Sequence, residues 1–189
     1  MIIFGIVGKA GSGKSTLLNY LRQKGFKVFN SDFEVKALYN NPEVANQIRE
    51  ALNLSKESDL KSGVVSQIKQ DARVIQKLEE ILHPLIEQKI IEFIAKHKGE
   101  ALFLEVPLLY ESGLDKYCDI VVLIDVDEEL RQKRLILREN YDIVGVLDLQ
   151  QESVDLKKLK ANYVLKNIGS IDELFSDFEK ILDTHHGEL

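Results

Sequence analysis

The chain has one cysteine, Cys118, one methionine, three prolines and no tryptophan among 189 residues. A lone cysteine excludes an intrachain disulfide framework and a cysteine-based zinc site, and it fits a reducing, cytoplasmic compartment. No apolar run reaches the roughly 18 residues that a membrane helix needs, so no span is expected. The start, Met1-Ile2-Ile3-Phe4-Gly5-Ile6-Val7, is apolar but lacks a basic leader and a small-residue cleavage site, so it is not read as a signal peptide. Positive charge is also in short supply. The 25 Lys and Arg against 31 Asp and Glu leave a net charge of −6. A general nucleic-acid binder presents a basic surface, so that class is set aside. A polyanionic ligand would have to meet positive charge gathered locally. Repeats and low-complexity tracts are absent. What is present, 44% hydrophobic and 30% charged residues, is enough for one soluble domain with a buried core. A monomer is the simplest expectation, with an oligomer left open.

The hydrophobic pattern alternates between two kinds of segment. Residues 2–7, 27–30, 101–106, 120–126 and 163–166 are short runs that read as strands. The run at 120–126 is the strongest, being apolar at nearly every position. Between them, Leu17, Leu18 and Leu21 share a helical face that Gly25 ends. Residues 33–98 read as mostly helical, with a loop expected over 54–63 and a fresh helix starting at Pro84, a favoured first-turn residue. Helices are also expected over 127–138 and 171–182, the second capped near Ser170. Continuously apolar strands alternating with helices predict an α/β fold, a five-stranded parallel sheet with helices on both faces.

One motif has a definite chemistry. Gly8-Lys9-Ala10-Gly11-Ser12-Gly13-Lys14-Ser15 matches G-x-x-x-x-G-K-[ST], with a strand before it and an amphipathic helix after it. Glycines let backbone N–H groups approach phosphate oxygens, and the helix aims its positive end at the anion. Lys14 is expected to project outward to the β- and γ-phosphates, and the Ser15 hydroxyl to bind Mg²⁺. A GTPase base-reading motif, Asn-Lys-x-Asp, is absent. A small-molecule or nucleotide kinase fits the size. Asp32 follows the second strand, on the side where open parallel sheets bind ligands. It reads either as the base that orients and deprotonates an acceptor hydroxyl or as a helix cap.

The order of these motifs resembles the dephospho-CoA kinase family. Lys9-Ala10-Gly11-Ser12-Gly13-Lys14-Ser15-Thr16 parallels its G-x-G-S-G-K-S-T loop, with Lys9 where many members have glycine. Asn30-Ser31-Asp32 keeps the second acid of an Asp-Ala-Asp. Leu78-Glu79-Glu80-Ile81-Leu82-His83-Pro84-Leu85-Ile86 fits the family's His-Pro segment, and Val106-Pro107-Leu108-Leu109-Tyr110-Glu111 differs from its Val-Pro-Leu-Leu-Phe-Glu by one ring hydroxyl. Arg134 and Arg138 match R-x-x-x-R, and Gln151 and Asn167-Ile168-Gly169 close the pattern. Asn162 stands where the family commonly has Asp.

The resemblance implies a single P-loop kinase domain that phosphorylates the ribose 3′-hydroxyl of dephospho-CoA with ATP and Mg²⁺. It implies a nucleotide-binding core over about 1–32, 99–133 and 152–189, a helical CoA-binding subdomain over about 33–98 and a lid over about 134–151. By that analogy Asp32, Lys14 and Arg138 are catalytic. Gly11, Ser12, Gly13, Lys14, Ser15, Thr16, Arg134 and Arg138 hold ATP, Ser15 holds the metal, and Asp32, His83 and Glu111 meet the acceptor. The same residues have plainer readings. Arg134 and Arg138 could form a solvated face paired with Glu128 or Glu129, His83 could be a helix cap or a packed residue, and Glu111 could cap a turn. Arg131 lies outside the family pair and is not assigned. No arginine follows Arg138, and Lys157, Lys158 and Lys160 are candidate replacements in the lid. A nucleoside monophosphate kinase and a non-catalytic nucleotide-binding regulator are the competing functions. The first would need arginines for a phosphate acceptor, and residues 33–98 contain only Arg49 and Arg73.

Overall fold

A computed structural model describes residues 1–136 and 154–185 of the chain. Arg138 and Gln151 lie outside the described residues. The chain divides into two compact units, Met1–Asn30 with Ile94–Leu189, and Ser31–Phe93.

The first unit is built on a parallel sheet. Its strands are β1 (Ile3–Val7), β2 (Lys27–Asn30), β3 (Leu102–Glu105), β4 (Ile120–Asp125) and β5 (Tyr163–Lys166), in the order β2-β3-β1-β4-β5. Every pairing is parallel; Ile6 sits beside Glu105 on one side and Val122 on the other. Each position of β1 and β3 is buried, as is β4 up to its last residue, so both faces of the sheet are covered. On one face Phe4 stacks on Phe103 with centroids 5.1 Å apart, against Leu17, Leu18, Leu174 and Phe178. On the other, Gly5 lies under Leu109 and Cys118, where a Cβ would come within 2.9 Å and 2.8 Å of their side chains. Burial pushes the Cys118 thiol up to about 12, which leaves it protonated and inert at neutral pH.

Helix α1 (Lys14–Gln23) follows β1. The helices α6 (Glu128–Ile136), α7 (Val154–Lys160) and α8 (Ile171–Thr184) complete the unit. Ser170 accepts from the Glu173 N–H, and Glu173 accepts from the Ser170 N–H, a reciprocal cap that fixes where α8 starts.

The second unit is helical: α2 (Ser31–Tyr39), α3 (Pro42–Leu52), α4 (Leu60–Gln70) and most of α5 (Val74–Lys96). Two expectations are corrected here. The loop expected over 54–63 ends early, because Asp59 caps α4 by accepting from the Ser62 N–H at 2.8 Å. No helix begins at Pro84, which lies inside α5. Leu78, Leu82, Ile86 and Ile90 are spaced by four and all buried, so one apolar stripe runs through the proline. Burial of that stripe offsets the one backbone hydrogen bond that proline removes.

Candidate phosphate-binding site

Residues 8–13 leave β1 and enter α1 with Gly8, Gly11 and Gly13 all at positive φ. At Gly8 a Cβ would come within 2.5 Å of the Ile124 carbonyl oxygen, and at Gly13 it would run into the Asn167 amide. Both positions therefore require glycine on steric as well as dihedral grounds. Lys9, where the resemblance leads one to expect glycine, is not at positive φ, so its side chain is tolerated.

The loop's carbonyls are held by donors from several elements. The Lys14 ammonium donates to the Gly8 carbonyl at 2.6 Å and the Lys9 carbonyl at 3.1 Å. Arg131 Nη1 donates to the Ala10 carbonyl at 3.3 Å, and Arg134 Nη1 to that of Gly11 at 3.4 Å. Asn167 Nδ2 donates to the Ser12 carbonyl at 2.7 Å, and the Thr16 and Leu17 N–H groups donate to Gly13. Six successive carbonyls are thus held by donors. Across a trans peptide the next N–H points the opposite way. The Ser12 N–H bonds the Lys9 carbonyl, while the N–H groups of Lys9, Ala10, Gly11 and Gly13 donate to no backbone carbonyl among the described residues, so they are available to an anion. Lys14 is 8% exposed, so its ammonium is folded onto the loop and not projected outward as expected. The Ser12 hydroxyl is enclosed, without a hydrogen bond among the described residues. Ser15 and Thr16 are exposed at the start of α1.

Arg134 also donates to the Asn167 carbonyl at 3.4 Å. The solvated-face reading of Arg134 is thereby replaced, because Glu128 is taken by Arg131 and Glu129 by Lys133. Arg131, left unassigned from the sequence, and Asn167, known there only as part of the family pattern, both hold the loop. The i, i+3 spacing of Glu128 and Arg131 was the available signal for the first.

Glu111 does not cap a turn. It faces Lys157 at 3.3 Å, and Lys157 is 1% exposed. Lys158 pairs with Asp125 at 2.8 Å, and the Lys160 ammonium lies 5.1 Å from the Tyr110 ring centroid. All three lysines thus link α7 to the end of β4 or to the segment after β3. Two departures from the family pattern also find places. Asn162 Oδ1 accepts from the Val121 N–H at 2.7 Å, a bond that an Asp oxygen would make equally well. Asn30, at the end of β2, donates its amide to the carboxylate of Glu105, its neighbour in register on β3. Glu105 is 4% exposed.

In the second unit Asp32 is exposed in the first turn of α2. The helix begins at Ser31, so Asp32 is inside it and is not its cap. His83 is half-buried within α5, seven or more residues from either end, which removes its capping role as well. Among the described residues no helix is long and apolar enough to cross a membrane.

The model of the dephospho-CoA kinase family matches residues 2–173 of this chain. A dephospho-CoA kinase of Rickettsia felis is 34% identical over 194 residues, covering 96% of each chain. Among solved structures, a Thermus thermophilus protein, TT1252, superposes with a TM-score of 0.80 at 26% identity, covering 97% of both chains. A dephospho-CoA kinase from Campylobacter jejuni superposes with a TM-score of 0.67 at 25% identity, covering 99% of this chain and 98% of that one.

Proposed function

The chain belongs to the dephospho-CoA kinase family, and we propose that it transfers the γ-phosphoryl group of ATP to the ribose 3′-hydroxyl of dephospho-CoA, giving coenzyme A and ADP. The observation that carries this reading is the glycine-rich phosphate loop, whose six successive carbonyls each have a donor. Such a loop offers backbone N–H donors to the charge that builds on the transferring group.

The donors at this loop suit Mg²⁺, a hard cation that takes one or two protein oxygens and otherwise phosphate and water. The exposed Ser15 hydroxyl would hold it. When bound, the cation neutralises charge on the β- and γ-oxygens. Gly11, Ser12, Gly13, Lys14, Ser15 and Thr16 hold the triphosphate. Lys14 exchanges its two carbonyl partners for phosphate oxygens. Arg134, with Arg138, offsets charge on the transferring group.

The helical unit, with His83, is the acceptor side. Asp32 orients the ribose hydroxyl and takes its proton. Glu111, fixed by Lys157, lines the acceptor site. A hydroxyl acceptor is favoured over a phosphate by the fate of the two arginines in that unit. Arg49 is spent on the Ser55 and Ser58 carbonyls, and Arg73 on Asp71. An acceptor phosphate would need their planar donors.

The test is direct. The protein is incubated with ATP, Mg²⁺ and dephospho-CoA, and the acceptor is examined by mass spectrometry. A gain of one phosphoryl group on the ribose supports the reading; ATP consumption with an unmodified acceptor refutes it.

A further inference from the structure

Arg131 is the basic residue of α6 that lies deepest in the molecule, at 4% exposure. Its Nε and Nη2 donate to the two carboxylate oxygens of Glu128 at 2.9 Å and 2.6 Å. Its remaining arm, Nη1, reaches the Ala10 carbonyl at 3.3 Å. Its stem lies against the next residue, since a Cβ on Gly11 would come within 3.2 Å of Arg131 Cγ and 3.3 Å of the Arg131 carbonyl. Arg131 therefore grips one peptide, Ala10–Gly11, by a donor on one end and a hydrocarbon wall on the other.

The geometry separates charge from grip. Glu128 takes two of the guanidinium's donors and balances its charge, so little net charge is delivered to the loop. What Arg131 delivers is a fixed direction for one carbonyl. Because a peptide is planar, fixing that carbonyl also fixes the Gly11 N–H, which points the other way. Glycine at position 11 has no side chain to hold its own dihedrals, and φ there is +82°.

We propose that Arg131 is a positioning residue for nucleotide binding: it clamps the Ala10–Gly11 peptide from behind and holds that peptide's N–H toward the bound phosphates. The proposal rests on the reading of this loop as the ATP site. Arg131 acts through the loop and touches no substrate, so it belongs to binding more than to the chemical step.

The test uses the full chain and titrates Mg·ADP, with steady-state turnover measured beside it. Arg131→Met keeps the stem and removes the donors. The expected result is a Kd for Mg·ADP and a KM for ATP raised about fivefold to thirtyfold, from one charge-assisted bond at the long end of its range. Turnover at saturating ATP and the KM for dephospho-CoA stay within about threefold. Glu128→Gln leaves the arm on Ala10 in place, and its Kd for Mg·ADP stays within about threefold of the parent. Arg131→Lys keeps charge and stem but cannot serve Glu128 and Ala10 together; it keeps its melting temperature and still weakens Mg·ADP by about threefold or more. Should Arg131→Met not fold, Arg131→Lys decides by that criterion.

Parent-like affinity in the Arg131 variants overturns the proposal. So do equal losses of affinity and melting temperature in Arg131→Met and Glu128→Gln, because Arg131 would then be only one half of an ion pair holding α6. A parent protein that does not bind Mg·ADP fails the ATP-site reading itself, and the proposal with it. That failure is distinct, since it appears before any variant is made.

Discussion

The Asn167 side-chain amide donates to the Ser12 carbonyl at 2.7 Å, a bond that spans 155 residues of chain. It ties the loop after β5 to the phosphate loop after β1. Asn167 is itself fixed, its N–H bonded to the Asp125 carbonyl at 2.7 Å and its carbonyl accepting from Arg134. The Asn-x-Gly at the end of the family pattern thus has a mechanical role. It braces the phosphate loop against the edge of the sheet, at the one point where Gly13 leaves room for it.

Asn167→Ala should leave the buried Ser12 carbonyl without its donor, at a cost of about 1–3 kcal/mol of stability. Asn167→Asp is the sharper variant. It keeps the shape but turns a carboxylate toward a carbonyl, so the site is repelled where it was held. Affinity for Mg·ADP should fall in the order parent, Asn167→Ala, Asn167→Asp. Calorimetric titration checks the order, and an aspartate variant that binds as tightly as the parent would remove Asn167 from the brace.

For Asp32 the expected result lies in turnover. If it is the base, Asp32→Asn keeps hydrogen bonding and loses proton acceptance, and kcat falls by a factor on the order of 10²–10⁴. Affinity for ATP should stay near the parent value. Stability should hardly move, because Asp32 is exposed within the first turn of α2 and asparagine differs there only in a modest dipole interaction. A loss of kcat under about tenfold would sink the base role. Since proton removal can be late in a loose transition state, such a result would leave Asp32 as a group that positions the hydroxyl.

The ion pair on α6 gives a pH signature. The Arg131 guanidinium beside Glu128 holds its carboxyl down to about 2, against an ordinary value of 4.5. A carboxylate with a lowered folded-state pKa stabilises the fold above the unfolded value and loses that contribution as pH falls through the folded one. The pair's contribution is therefore full at neutral pH, shrinks below 4.5 and is gone below about 2. Glu128 is 59% exposed, so water screens the pair and its worth is under about 1 kcal/mol. Denaturant midpoints of parent and Glu128→Gln should differ slightly at neutral pH and converge as pH falls below the ordinary carboxylate value. A difference that stays constant with pH would show that Glu128 stabilises by packing, not charge.

The parts of this molecule legible in its sequence are those set by local rules. Ile120–Asp125 is apolar because β4 is covered on both faces, and G-x-x-x-x-G-K-S is spaced by what phosphate requires of a backbone. Misreadings arose where a local signal met a tertiary one. Pro84 carries a helix-start signal, yet the buried stripe from Leu78 to Ile90 keeps α5 continuous. The Ser- and Lys-rich stretch before Gly63 reads as loop, yet Asp59 caps a helix within it. The partners of Lys157, Lys158 and Lys160, namely Glu111, Asp125 and Tyr110, are distant in sequence. Asn30 does replace an acid of the family pattern, and the sequence does not show that its amide donates to the Glu105 carboxylate on β3. For Asn30 and the three lysines the neighbour comes from another element, which spacing along the chain does not reveal.

The central claim is the identity of the acceptor, and the measurement that tests it is ADP release, coupled to a reporter, with dephospho-CoA, AMP, CMP and shikimate supplied as rivals under the same ATP and Mg²⁺. The account predicts that dephospho-CoA gives by far the largest kcat/KM and that the monophosphates give little, because Arg49 and Arg73 are committed to their own loops. Comparable turnover with AMP or CMP would contradict it and make this chain a nucleoside monophosphate kinase. Nucleotide binding without turnover on any of the four would make it a binding protein.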